Sequence, residues 1–262
     1  MMLSRRDFLK LSVSGLMASS VPGLDAQIAA SDKPVPTIWK GSDRHRYFAL
    51  TYDDCYLLQR LHDLEYLLDE FPGFKITLFP VGVAILNLHR QDSGIWNRLV
   101  ENGHELGYHS WDHSGLHVVS PENAIADFDR WMEALIRVLG YQPRVHFSRP
   151  PYGVLSPSFD AIARARGQVV TMWSTGWGGD LPVGLKAAQD SKAGDIVLMH
   201  IRTQDILTCR EAYPWMRDND WRSVTLTELY DDLLREQFQS EGCDVGQGLS
   251  LTRTCLDEPG VD

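Results

Sequence analysis

Short apolar segments alternate with helical patterns along most of this chain. The segments with strand character are residues 47–52, 75–81, 104–109, 145–148, 169–173 and 196–201. The segments with helical periodicity or capping signals are residues 57–68, 95–101, 120–140, 158–165 and 225–237. Ser120 is a predicted N-cap, Gly140 a predicted helix end, and Thr225-Leu226-Thr227-Glu228 a predicted capping box. Strand–helix alternation over a whole core is typical of parallel strands covered by helices, and six or more units favour a barrel over an open sheet. The sequence therefore predicts an α/β fold, a (β/α) barrel with parallel strands and outer helices.

The two ends of the chain predict an exported protein with one folded domain. Residues 4–10 read Ser-Arg-Arg-Asp-Phe-Leu-Lys and precede a mildly apolar run, which resembles a twin-arginine signal. We predict a signal peptide and the start of a linker over residues 1–30, a linker over 31–44, the barrel over 45–238 and a polar tail over 239–262. An ordinary secretory signal or a disordered tail is the alternative. The apolar run is shorter than a membrane span, so no stable membrane insertion is expected after signal removal.

The net charge of the chain limits the classes of molecule that it is expected to bind. With 35 acidic and 25 basic residues, the formal net charge is -10, and no Lys/Arg cluster lies inside the predicted domain. Such a chain has no electrostatic reason to bind nucleic acid or anionic lipid. Neutral or cationic substrates are expected, and the sequence leaves the oligomeric state open.

Two carboxylates and two imidazoles are candidate metal ligands. Asp53 and Asp54 end an apolar strand, and His109 and His113 lie about fifty residues later, four positions apart. If residues 110–113 form a helical turn, both imidazoles share a face, and neutral imidazoles suit zinc, nickel or cobalt. The alternatives are solvated turn carboxylates, with one core and one surface histidine.

One misleading motif lies in the same region. His104-Glu105 resembles the start of H-E-x-x-H, but the next histidine is His109, five positions after His104. A zinc-protease helix needs a spacing of four, and this segment has the pattern of a strand, so that enzyme class is excluded.

Two further groups follow predicted strands. Arg149-Pro150-Pro151-Tyr152 has a stiffened backbone that could aim an arginine and a backbone N–H into a cleft. His200 ends another strand, and near a metal its unperturbed pKa of about 6.5 suits a general acid. The alternatives are a plain turn and a structural histidine.

The order of these segments resembles the polysaccharide deacetylase (NodB-homology) family of carbohydrate esterases. The family has five ordered motifs. The first, second, third and fifth are matched by residues 51–54 (Thr-Tyr-Asp-Asp), 103–113, 149–152 (Arg-Pro-Pro-Tyr) and 198–200 (Leu-Met-His), and the fourth is irregular. The resemblance runs from about residue 46 to residue 237. It implies a distorted (β/α) barrel and one divalent metal ion, with zinc expected first and cobalt or nickel as alternatives. The implied metal ligands are Asp54, His109 and His113.

The same resemblance implies the catalytic residues. Asp53 would be the general base and His200 the general acid. Arg149 would position Asp53, the Tyr152 backbone N–H would stabilise the oxyanion, and Leu198 would line the acetyl pocket. A base beside a metal-activated water, with an acid at the leaving nitrogen, is the chemistry of amide hydrolysis.

Two positions depart from the family pattern. Cys55 stands where the family has glycine, and is either a competing soft ligand or a small buried hydrophobe. In the fourth motif the family has aspartates near Trp173, and Asp180 is a candidate substitute out of register. Trp173 and Trp177 are either a sugar-stacking wall or part of the core.

The predicted function is removal of N-acetyl groups from an amino-sugar polysaccharide such as peptidoglycan or a chitin-like chain. The alternatives are an O-acetyl xylan esterase on the same fold, a catalytically weak carbohydrate-binding relative, and a cysteine-based redox protein. In an oxidising compartment one cysteine pair could form a bridge, most simply Cys243–Cys255.

Overall fold

The computed structural model of the protein describes residues 34–240 and has nine strands and eight α-helices in that part. The strands are β1 (Thr37–Ile38), β2 (Tyr47–Asp54), β3 (Ile76–Pro80), β4 (Glu105–Leu106), β5 (Phe147–Ser148), β6 (Val169–Thr171), β7 (Thr175–Gly176), β8 (Ile196–His200) and β9 (Arg222–Ser223). The helices are α1 (Leu58–Glu70), α2 (Gly82–Gln91), α3 (Ile95–Glu101), α4 (Pro121–Leu139), α5 (Pro157–Arg166), α6 (Leu181–Asp190), α7 (Thr203–Asp218) and α8 (Leu226–Ser240). The predicted signal peptide, most of the predicted tail and the proposed Cys243–Cys255 bridge lie outside the described residues.

Two parallel sheets form a distorted barrel, as predicted. The larger sheet has the order β4-β3-β2-β8-β7, with β9 beside the start of β2, and the smaller sheet has the order β1-β6-β5. Isolated bridges join the sheets: Tyr108 pairs with Ser148 on one side, and Lys40 pairs with Asp195 on the other. Because all the described strand pairs are parallel, the carboxyl ends of the strands that carry the candidate residues meet at one rim.

The helix ends follow the predicted capping signals. Ser120 accepts a hydrogen bond from the Asn123 N–H (3.3 Å) at the start of α4, and Gly140 ends that helix with φ of 82°. The predicted capping box at α8 is present in both directions. The Thr225 N–H donates to Glu228 Oε2 (3.0 Å), and the Glu228 N–H donates to Thr225 Oγ1 (3.2 Å).

Three helices were not predicted from the sequence, and part of the predicted linker is a strand. α2 and α7 begin at residues that supply no side-chain cap, and α7 contains Pro214, so neither shows the usual start signals. α6 begins after Asp180. In the predicted linker, Thr37 and Ile38 pair with Val170 and Thr171, because buried Ile38 completes the edge of the smaller sheet.

His104 and Glu105 lie at the opposite rim of the barrel, where the strands begin. Glu105 lies at the start of β4 and accepts hydrogen bonds from Thr77 Oγ1 (2.9 Å) and the Thr227 N–H (3.2 Å), which ties α8 to the sheet. The His104 ring is buried, and its Nδ1 has no hydrogen-bond partner in the described part of the chain. Burial, followed by the charge of Lys75, lowers the pKa of His104 from 6.5 to about 4.

This depressed pKa predicts a loss of stability in mild acid. Between its folded and unfolded pKa values His104 binds a proton only in the unfolded chain, so falling pH favours unfolding. From about pH 7 to about pH 4.5, the wild type should lose about 2 to 3 kcal/mol more unfolding free energy than His104→Gln. Denaturant titrations at several pH values measure both curves, and parallel curves for the two proteins would contradict the assignment.

Candidate metal centre and active site

Strand register brings the predicted site residues together at the carboxyl rim. Asp53, in β2, pairs in register with His200, at the end of β8. The Tyr108–Ser148 bridge places the next residues of those two segments, His109 and Arg149, side by side. Residues separated by up to about 150 positions in the sequence therefore share one end of the barrel.

Asp54, His109 and His113 form a compact set of three ligand groups. Asp54 Oδ1 lies 3.4 Å from His113 Nε2 and 3.6 Å from His109 Nε2, and the three ligand atoms lie within 4.8 Å of one another. Two ligand atoms bound at about 2.1 Å in a tetrahedral site lie about 3.4 Å apart, so the spacing suits a small cation. Asp54 Oδ1 is buried and has no hydrogen-bond partner among residues 34–240, and an ion between these groups would supply one. The residues present therefore fit a divalent metal.

The His109 ring is oriented as a metal ligand requires. Its Nδ1–H donates to the Arg149 carbonyl oxygen at 2.9 Å, which leaves the Nε2 lone pair facing the carboxylates. Burial lowers the pKa of His109 below its usual value near 6.5, which favours the neutral ring, while the charges of Asp53 and Asp54 oppose that shift. A neutral imidazole with a fixed tautomer can coordinate without first losing a proton.

His113 reaches the site from a loop, and the predicted helical turn at residues 110–113 is wrong. Ser110 and His113 both have positive φ (67° and 66°), and the His113 N–H donates to Ser110 Oγ at 2.9 Å. The Gly82 N–H at the start of α2 donates to the Ser110 carbonyl at 3.1 Å. Asp127 accepts from the Trp111 N–H (2.8 Å). This loop support, including Asp127, was not predicted, because it depends on contacts between distant segments.

Left-handed backbone is concentrated at the site. Of the six described non-glycine residues with positive φ, five are Asp54, Cys55, Ser110, His113 and Tyr152. Such conformations are unfavourable for residues with a side chain and persist where the surrounding structure enforces them. Their grouping around the candidate ligands indicates that the fold maintains this geometry at a cost in free energy.

Asp53 is held in a buried ion pair beside the metal ligands. Arg149 Nη1 donates to Asp53 Oδ1 (2.7 Å) and to Thr51 Oγ1 (2.8 Å), while the other guanidinium nitrogens donate to the carbonyl oxygens of Thr171 and Met172. Burial lowers the pKa of Arg149, and the Asp53 charge opposes that shift. The free oxygen, Asp53 Oδ2, lies 3.7 Å from His109 Nε2. The arginine thus fixes one carboxylate oxygen and leaves the other directed at the ligand cluster.

His200 is open to solvent on the far side of Asp54. Its side chain is 39% exposed, and Nε2 lies 3.9 Å from Asp54 Oδ2. Asp180, the out-of-register candidate in the fourth motif, caps α6 by accepting from the Val183 N–H at 3.1 Å. Asp205, which was not predicted, is fully buried and accepts from the His200 backbone N–H at 3.2 Å. That bond fixes the main chain of His200.

The two tryptophans predicted to contact the sugar differ in burial. Trp177 is fully buried, packs against Phe48 (ring centroids 5.5 Å apart) and donates to Ser191, so its predicted role in a sugar-stacking wall is wrong and its core alternative is correct. Trp173 is half-buried, and its ring packs so closely against Gly153 that no Cβ would fit there. It therefore supports the turn that carries Tyr152.

The remaining predicted residues lie around the ligand set. Tyr152 is 68% exposed, and its ring meets that of His113 at a centroid distance of 4.4 Å. Leu198 lies two residues before His200 on β8, so both side chains point to the same face of that strand. Cys55 is buried, and burial, followed by the charges of Asp54 and Asp53, raises the pKa of its thiol well above the usual value. Cys55 is thus a small buried hydrophobe outside the three-ligand set.

A cleft opens beside these groups. It has a volume of about 230 Å³ and is lined by Asp53, Asp54, Cys55, Tyr56, Leu57, His200, Ile201 and Arg202. Both members of the aspartate pair and the candidate acid line the same cleft, so a bound carbonyl compound could reach all three.

The sequence comparisons with known proteins agree on one family. The sequence profile described as polysaccharide deacetylase matches residues 40–170, half of the chain. The chain is 28% identical over 167 residues to the peptidoglycan-N-acetylglucosamine deacetylase PgdA of Listeria monocytogenes, covering 62% of this chain and 34% of that protein. It is 33% identical over 97 residues to chitin deacetylase 2 of Saccharomyces cerevisiae, covering 37% of this chain and 29% of that protein. The chain thus spans about a third of the length of these curated relatives.

Solved structures show the same fold at low sequence identity. BA3943 of Bacillus anthracis, described as a CE4 family pseudoenzyme, aligns with a TM-score of 0.67 at 18% identity over 77% of this chain and 71% of that chain. The peptidoglycan deacetylase PdaC of Bacillus subtilis aligns with a TM-score of 0.66 at 19% identity over 76% of this chain and 97% of that chain.

Proposed function

The chain belongs to the polysaccharide deacetylase family, and on that premise we propose that it is a metal-dependent hydrolase that removes N-acetyl groups from an amino-sugar polysaccharide such as peptidoglycan or a chitin-like chain. The observation that carries the proposal is the convergence of Asp54, His109 and His113 beside the Arg149–Asp53 pair. Three metal-ligand side chains lie beside the Asp53 carboxylate, and the site opens on a cleft. This arrangement suits hydrolysis of an acetyl group.

The cation would be held by Asp54, His109 and His113. Two imidazoles and a carboxylate suit zinc first, with cobalt and nickel as alternatives. When bound, such an ion polarises the acetyl carbonyl and lowers the pKa of water. The orphaned Asp54 Oδ1 is the feature of the chain that best supports this assignment.

Asp53 would act as the general base. Its Oδ2 is directed at the ligand cluster, where it can accept the proton of the attacking water, while Oδ1 stays bound to Arg149. The guanidinium pairs with one carboxylate oxygen and limits the rotation of the side chain. Arg149 is therefore a positioning residue, which acts through Asp53.

His200 would act on the leaving nitrogen, and Tyr152 would act on the carbonyl oxygen of the acetyl group. The exposed His200 ring, on the Asp54 side of the cleft, can donate a proton to the leaving nitrogen, so that an amine departs. The Tyr152 backbone N–H would donate to the developing oxyanion. Leu198, on the His200 face of β8, would contact the acetyl methyl group.

We propose that the protein acts after export, either in a periplasm or outside the cell. The twin-arginine-type residues 4–10 support that route. Among the described residues, no helix is both long enough and apolar enough to cross a membrane.

A catalytically weak carbohydrate-binding relative is the second candidate. Within residues 34–240, Asp54 is the one carboxylate within 4.0 Å of the His200 ring, so the ring has no separate acidic partner to orient it as an acid. Glycan binding with little or no acetate release is the expected behaviour of such a protein.

Acetate release from purified protein distinguishes these functions. We expect the zinc-, cobalt- or nickel-loaded protein to release acetate from N-acetylglucosamine oligomers or peptidoglycan strands, and chelation to stop the reaction. Release from acetylated xylan alone would favour the esterase. Binding of N-acetylglucosamine oligomers without acetate release, under all three metals, would favour the weak relative.

A further inference from the structure

The turn that directs Asp54 toward the metal set also fixes the residue that follows it. Asp54 and Cys55 have consecutive positive φ values of 72° and 61°, and the Cys55 N–H donates to the Asp53 carbonyl at 2.9 Å. The Cys55 side chain is buried and anchors the turn from below. The next residue, Tyr56, is therefore carried out to the surface on a backbone that has little freedom.

Tyr56 lies in the cleft beside the candidate chemistry. Its side chain is 48% exposed and lines the same cleft as Asp53, Asp54 and His200. A half-exposed tyrosine ring in a cleft can contact the apolar face of a bound ligand.

A second exposed tyrosine flanks the metal set from another loop. Tyr152 follows β5 and covers the His113 ring, whereas Tyr56 follows β2 and shares its cleft with His200. The ligand set thus has an aromatic ring on its His113 side and another on its His200 side. A pyranose ring has an apolar C–H face and polar edges, which suits contact with a tyrosine ring and its hydroxyl group.

We propose that Tyr56 is a specificity-determining residue that stacks on a sugar ring of the glycan bound at the metal centre. The inference rests on the proposed deacetylase function and assigns to Tyr56 the stacking role that buried Trp177 cannot have. The substrate class is a chain of N-acetylated pyranose units, held by aromatic contacts beside the reacting acetyl group.

The chain supplies a matched control for this assignment. Tyr66 is another exposed tyrosine, on α1, but it lines a different surface pocket with His62 and Asp92. Removing the Tyr66 ring deletes the same chemical group from a site that does not border the cleft. Tyr56→Phe keeps the ring and removes only the hydroxyl, so it separates stacking from hydrogen bonding.

Calorimetric binding of an N-acetylglucosamine tetramer tests the proposal. The variants are made in zinc-loaded Asp53→Asn protein, so that the glycan is not consumed. We expect Tyr56→Ala to weaken binding about five- to tenfold, Tyr56→Phe to stay within about twofold, and Tyr66→Ala to bind like its parent. In the catalytically intact protein, Tyr56→Ala should raise KM more than it lowers kcat. Zinc content and the melting temperature are measured for each variant.

Several outcomes would overturn the inference. Unchanged affinity in Tyr56→Ala, or an equal loss in Tyr66→Ala, would remove the stacking role. If Tyr56→Ala loses zinc or unfolds, Tyr56→Leu replaces it, and wild-type affinity in Tyr56→Leu would overturn the proposal. If the wild type releases no acetate from any N-acetylated glycan, the proposed function fails. Wild-type turnover together with unaffected Tyr56 variants rejects the stacking role alone.

Discussion

Asp53→Asn is expected to lower kcat for acetate release by about a thousandfold while the protein keeps its metal. Asparagine preserves the shape of the side chain and can still accept the Arg149 hydrogen bond, which is 2.7 Å long in the wild type. It cannot take a proton from water, and a positioned general base typically contributes about 10² to 10⁴ in rate. Steady-state kinetics on N-acetylglucosamine oligomers, with elemental analysis of bound zinc, measures both properties.

A matched control for this variant is Asp180→Asn. Asp180 is exposed and caps α6 away from the cleft, and asparagine is also a good capping residue. Wild-type kinetics are expected for it. A kcat for Asp53→Asn within about tenfold of the wild type would show that Asp53 is not the base.

Asp54→Ala is expected to abolish both metal binding and acetate release. The substitution removes the oxygen that lies between the two imidazoles, at 3.4 and 3.6 Å, and leaves two ligands for the cation. Because the cation supplies several kcal/mol of transition-state stabilisation, activity should fall by about a thousandfold or more. Equilibrium dialysis against zinc, followed by the acetate assay, measures the effect.

His113→Ala should behave like Asp54→Ala, and His117→Ala provides its control. His117 is an exposed histidine four positions further along the chain and is not part of the three-ligand set. Zinc retention and full acetate release in Asp54→Ala would refute the ligand assignment. So would loss of zinc in His117→Ala alone.

The barrel could be predicted from local sequence patterns, and the three candidate metal ligands could be predicted from motifs that follow a fixed order along the chain. Strand segments, the Ser120 cap and the Thr225–Glu228 box each depend on neighbouring residues, and the structure contains all of them. The clustering of Asp54, His109 and His113 could be predicted because these residues lie in two short motifs of an ordered set.

The wrong predictions concern the burial of side chains and the backbone conformation, which cannot be read directly from the sequence. Trp177 and Trp173 look alike along the chain, but only packing against Phe48 shows that Trp177 belongs to the core. The positive φ values at Ser110 and His113 replace the predicted helical turn, and no glycine marks those positions. Asp205 could not be chosen over Asp180, because its bond to the His200 N–H depends on where α7 begins.

X-ray absorption spectroscopy of the zinc-loaded protein tests the central claim most directly. The account predicts one zinc per chain, with the scattering signature of two imidazoles and only nitrogen or oxygen ligands at about 2.0 to 2.2 Å. A sulfur ligand at about 2.3 Å, which would place Cys55 on the metal, would contradict the account. So would a zinc site without histidine scattering.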